Sequence, residues 1–154
     1  MSHTVSRGLH RASHWLAAAY AVREMLLLKP GASVLSSGIG IGALESMERF
    51  FTWTLEGLKE PIDRNWRIPT MAPASCYTTF ALVLKGLGLV YGPNMIRQQA
   101  TAHLSLIKSI KAGYVLVGKP HQRDRLARFL TELIRQGESV RLANIFGRSA
   151  QTLG

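Results

Sequence analysis

Residues 43–59, ALESMERFFTWTLEGLK, decide the fold. Leu44, Met47, Phe51, Leu55 and Leu58 recur every three or four positions, the spacing of one face of an α-helix. Glu45, Glu48, Arg49, Glu56 and Lys59 fall largely off that face, so the segment reads as an amphipathic helix with one side against a core. The same period appears on both sides of it. Residues 8–28 place Leu9, Ala12, Leu16, Ala19, Tyr20, Arg23 and Leu27 on one face, and Lys29-Pro30-Gly31 ends the run. Residues 75–91 repeat Tyr77, Phe80, Ala81, Leu84 and Leu87. Residues 95–112 repeat Ile96, Ala100, Leu104, Ile107 and Ile110, with Asn94 as the expected N-cap after Gly92-Pro93. Residues 121–136 repeat Leu126, Phe129, Leu130, Leu133 and Ile134, and Gly137 is the expected C-cap.

The expectation is a mainly α protein. Residues 1–154 form one domain, a small bundle of about five helices with Gly/Pro-rich loops. Pro61, Pro69 and Pro73 make residues 60–74 a loop. Val34-Leu35 and Tyr114-Val115-Leu116-Val117 are short β-prone runs. Trp15 and Trp53 are expected in the core.

Composition excludes several classes. Hydrophobic residues make up 47% of the 154, too many for a disordered chain. A single cysteine, Cys76, excludes a disulfide scaffold. The charge is lopsided: 19 Lys and Arg against 9 Asp and Glu, a formal +10 with pI near 10.5. Residues 1–23 hold no acid, and Arg97 to Arg148 hold ten bases against Asp124, Glu132 and Glu138. Such a field favours phosphate-bearing partners, either nucleic acid or anionic lipid.

Residues 1–23 also resemble a mitochondrial transit peptide retained in the chain. Ser2, Ser6 and Ser13 interleave with Arg7, Arg11 and Arg23, and Leu9, Leu16 and Val22 supply an apolar side. The segment 75–91 is a candidate for membrane association. Its apolar run from Cys76 to Tyr91 contains Lys85 and is shorter than the roughly 20 residues a spanning helix needs.

Chemistry-bearing patterns are sparse. The string from Val34 to Leu44, with Gly38, Gly40 and Gly42, resembles the first glycine loop of S-adenosylmethionine-dependent methyltransferases. That resemblance implies a parallel sheet and a methyl donor. Ser36 stands where that family usually carries an acid, and no second strand ending in an acid follows. His10 and His14 share a helix face at metal-ligand spacing but lack a third ligand; His103 reads as a surface or packed histidine and Cys76 as a buried, inert thiol. No acid pair has a spacing suited to general acid–base work. No catalytic residue, cofactor, metal or small-molecule substrate is expected.

Two clusters remain as anion- or partner-binding candidates. Arg64, Trp66 and Arg67 combine cations and an aromatic ring in the Pro-rich loop. Arg123, Arg125, Arg128 and Arg135 lie mostly off the apolar stripe of the last helix. The expected function is a non-enzymatic accessory subunit of a mitochondrial inner-membrane complex, of respiratory-chain or ATP-synthase type. The alternative is a basic helical subunit of a cytoplasmic ribonucleoprotein, such as a ribosome or a CRISPR effector small subunit, touching the nucleic-acid backbone. The partners in either case are other protein subunits and the phosphates of lipid or nucleic acid.

Overall fold

The computed structural model describes residues 12–35, 38, 40–57 and 74–153. Among them, five helices follow in order: α1 (Ala12–Met25), α2 (Ile41–Gly57), α3 (Ala74–Tyr91), α4 (Pro93–Gly113) and α5 (Pro120–Leu153). The mainly α bundle expected from the periodicity is what the chain forms. Helix α2 packs on α1 and α4, while α5 packs on α1 and α3 and touches α4.

In α2, Leu44, Met47 and Phe51 are wholly buried, and Leu55 is partly buried against them. Leu58 lies outside the described residues. Phe50 is buried too, although it is not on the expected stripe. Two neighbours explain this. Phe50 turns toward α1, where its ring lies 5.8 Å from Trp15, and Phe51 turns toward Phe129 of α5 at 5.4 Å. A helix with neighbours on two sides buries a wider arc than one stripe. Thr54 is buried in that arc, and its hydroxyl donates to the Phe50 carbonyl at 2.8 Å.

Helix α1 buries Trp15, Leu16, Ala18, Ala19, Val22 and Met25, a face rotated from the expected one. Tyr20 and Leu27 are exposed instead, and the Arg23 guanidinium lies 5.3 Å from the Tyr20 ring. The helix also ends before Lys29-Pro30. Leu27 N–H donates to Glu24 and Leu28 N–H to Met25, so the chain tightens to a 3₁₀ turn.

The β-prone runs find each other. Ser33 and Val115 form an antiparallel bridge, supported by Gly31 N–H to Leu116 O at 2.8 Å, Val34 N–H to Tyr114 O at 2.8 Å and Leu116 N–H to Ala32 O at 3.0 Å. Val34 and Leu116 are buried there, so the α1–α2 and α4–α5 connections are pinned together. The glycine loop therefore leaves an isolated bridge. Among the described residues there is no parallel sheet of the kind the methyltransferase resemblance implied.

Two expected caps are corrected. Asn94 is inside α4, because Gly92 occupies the N-cap with φ 84° and Pro93 takes the first helical position. Proline's fixed φ suits that position, so the helix starts ahead of Asn94. Gly137 does not end α5, which runs on to Leu153. Instead it lets α5 cross closely over α1. A Cβ at Gly137 would stand 2.9 Å from Leu16 Cδ1 and 3.1 Å from two carbons of the Trp15 ring. Gly137→Leu is expected to destabilise the fold by about 1–3 kcal/mol through overpacking, read as a lower urea midpoint. An unchanged midpoint would contradict the close crossing.

Among the described residues no helix is long and apolar enough to cross a membrane. Lys85 of α3 is exposed.

Candidate docking surface

Helix α5 presents most of the basic candidates. Its bundle side carries Leu126, Phe129, Leu130, Leu133 and Ile134, all buried, with Gly137 and partly buried Val140 continuing the line. Arg125, Arg128 and Arg135 are exposed off that line. Arg128 pairs with Asp124, four residues back. Arg135 grips Glu132 through Nε at 2.7 Å and through a second guanidinium nitrogen. This contact with Arg135 holds the Glu132 carboxyl below its usual range, with Gln136 as a further donor at 3.1 Å. The same contact raises the Arg135 guanidinium. Arg125 makes no ion pair among the described residues. Exposed pairs of this kind are weak, so Arg128 and Arg135 remain able to turn to an external phosphate.

Arg123 is different. It sits near the start of α5, where a cation opposes the helix dipole, and an external anion was the expected reason. Its guanidinium instead donates to the Gly118 carbonyl, just outside the helix, and the side chain is partly buried. A local hydrogen bond accounts for its position. Arg64, Trp66 and Arg67 lie outside the described residues.

Sequence reading stopped at Gly137 and missed the rest of the helix. Beyond it, Leu142, Ile145 and Phe146 are 51%, 54% and 68% exposed. Leu133 and Leu142 stand nine residues apart, as do Gly137 and Phe146. At about 3.6 residues per turn, nine residues are two and a half turns, which puts the second of each pair on the opposite side of the helix. Leu142 and Phe146 thus face away from the bundle, while Ile145, eleven residues after buried Ile134, lies on the flank of the helix beyond the core. Arg128, Arg135 and Leu142 are spaced by seven, so they share one outward ridge. The spacing of three and four from Leu142 to Ile145 and Phe146 was legible; taking Gly137 as a stop hid it.

Helix α3 lies beside this ridge. Its Tyr91 ring stacks on Phe129 at 5.7 Å, and a Cβ at Gly86 would strike the Gln136 side chain. Its outer side exposes Leu82 and Leu89 together with Lys85, and Val90 is half exposed near the helix end.

Other places in the fold offer less chemistry. A groove of about 250 Å³ is lined by Glu45, Glu48, Arg49, Thr52, Trp53 and Lys111. Lys111 pairs there with Glu48 at 3.0 Å, and Arg49 donates to the Ser46 hydroxyl at 3.1 Å. His103 is buried between the Phe51 and Phe129 rings, with Nε2 3.0 Å from Gln99 Oε1. No group of three or more His, Cys, Asp or Glu side chains among the described residues is placed to hold a metal ion. His10 lies outside the described residues. Comparison with protein-family models, with curated proteins and with solved structures gives no match for this chain.

Proposed function

We propose that this protein is a non-enzymatic accessory subunit of a mitochondrial inner-membrane complex, of respiratory-chain or ATP-synthase type, held to its assembly by the outward side of α5. One observation carries the reading: exposed Arg125, Arg128 and Arg135 occupy the part of α5 that its own core does not use. The +10 charge and the acid-free residues 1–23 support an anionic partner and a mitochondrial address. A basic ribonucleoprotein subunit is the second reading, favoured by the same arginines, since RNA phosphates accept guanidinium groups equally well.

Changing Arg125, Arg128 and Arg135 together to Gln tests the proposal. All three positions are off the buried stripe, so the fold is expected to persist. Each cation near an anionic surface contributes about 1 kcal/mol, so association is expected to weaken by up to about a hundredfold. Pairing with Asp124 and Glu132 reduces the share of Arg128 and Arg135 below that of Arg125. If RNA is the partner, the salt slope falls by about 0.7 for each single-stranded phosphate contact removed. Unchanged affinity and unchanged slope would leave these arginines as a solvated face and defeat the proposal.

A further inference from the structure

We infer that the tail of α5 lies flat on an anionic lipid leaflet, with Leu142, Ile145 and Phe146 at the acyl boundary and the arginines of the same helix on headgroup phosphates. This rests on reading α5 as the anion-facing element, and it names the anion.

The outward ridge changes chemistry along its length. Arg128 and Arg135 precede Glu138, which pairs with Arg141 at 3.5 Å, and Leu142 and Phe146 follow with Ile145 beside them. All three apolar side chains are more than half exposed; Leu142 and Phe146 lie on the side away from the bundle core, and Ile145 lies on the flank beyond the last core contacts of the helix. Burying them therefore requires something outside the bundle.

The neighbouring charge selects that partner. RNA satisfies arginines and stacks on aromatic rings, but it offers nothing to Leu142 and Ile145. A second copy buries an apolar stripe but brings another +10 charge against this one. An anionic leaflet serves both halves at once, with phosphates for the arginines and an apolar boundary for the stripe. Helix α3 beside it exposes Leu82 and Leu89 on the same side as Lys85. Residues 138–153 extend about 24 Å at 1.5 Å per residue, which is short of a bilayer core of about 30 Å. The geometry is that of a helix lying in the interface.

Flotation of the full-length chain with vesicles is the test, using phosphatidylcholine alone and phosphatidylcholine mixed with phosphatidylglycerol. The wild type is expected to float with the anionic vesicles and to stay behind with the neutral ones. The triple change Leu142→Gln, Ile145→Gln and Phe146→Gln is expected to lower anionic binding by about tenfold or more, with helix content and melting unchanged. Phe146→Gln alone gives a smaller loss in the same direction, and serves if the triple variant fails to fold. Wild-type binding by the folded apolar variants would overturn the inference, as would a wild type that ignores both vesicles. So would a concentration-dependent dimer, or binding to a uridine oligonucleotide, that the apolar triple abolishes. Loss of flotation in the apolar triple with none in the Arg125, Arg128 and Arg135 variant would support the lipid contact while defeating the arginine reading.

Discussion

Phe51→Ala is expected to lower the free energy of unfolding by about 3–5 kcal/mol. Phe51 is wholly buried in α2 and meets three rings: Phe50 edge-on at 5.5 Å, Phe129 of α5 at 5.4 Å and His103 of α4 at 5.6 Å. Removing it takes away the transferred apolar surface and leaves a cavity where three helices meet. The cavity closes poorly, because the surrounding rings already pack on one another: His103 and Phe129 are 5.1 Å apart. A domain of this size has about 5–15 kcal/mol in total, so the variant is left marginal. Leu55→Ala, at a partly buried position of the same stripe, is expected to lose less. Urea titration of the two variants checks the order. A Phe51→Ala loss below about 1 kcal/mol would mean that α2 does not centre the core.

Acid is expected to weaken the fold well above the range in which carboxylates titrate. Burial, with the positive charge of Arg125 adding to it, pushes the His103 imidazole down to about 4. In the folded chain the ring is neutral at the pH where the unfolded ring, near 6.5, takes up a proton. The unfolded state therefore binds more protons between pH 6.5 and about 4, so stability falls as pH falls through that window. The full contribution is present above pH 6.5, and about 3 kcal/mol is lost by pH 4. Glu132 adds a loss in the same direction only lower down, because Arg135 holds its carboxyl below the usual range. Stability measured from pH 7.5 to 4 should show the slope, and His103→Phe should flatten its upper part. An identical slope in that variant would assign the dependence to other groups.

The parts of this fold legible in the sequence are those governed by local periodicity. The stripes of α2 and α4 reappear in the core because each buries residues at three-to-four spacing: Leu44, Met47 and Phe51 in one, and Ile96, Ala100, Ile107 and Ile110 in the other, with Leu104 between them only partly buried. What escaped reading depends on neighbours distant in sequence. Phe50 is buried because α1 supplies Trp15, and His103 because two rings and Gln99 take its polar edge out of water. Ser33 and Val115 both have β-prone surroundings, but nothing local pairs them across the length of three helices. Gly137 misled most. Judged locally, a glycine after an apolar run is a C-cap, yet here Leu16 and Trp15 occupy the space its side chain would need. The helix runs on past this contact, and its further turns carry the exposed Leu142, Ile145 and Phe146. The arginine spacing of α5 was readable, but which arginines are engaged depends on Asp124, Glu132 and the Gly118 carbonyl.

Extraction of the full-length chain from purified mitochondria tests most directly whether it serves as a subunit of an inner-membrane assembly. The account predicts that it pellets with the inner membrane at low salt, stays there after nuclease, and enters solution in detergent as part of a particle far larger than its own 17.0 kDa. Recovery at low salt as a free 17.0 kDa chain in the soluble fraction, or release by nuclease without detergent, would contradict it.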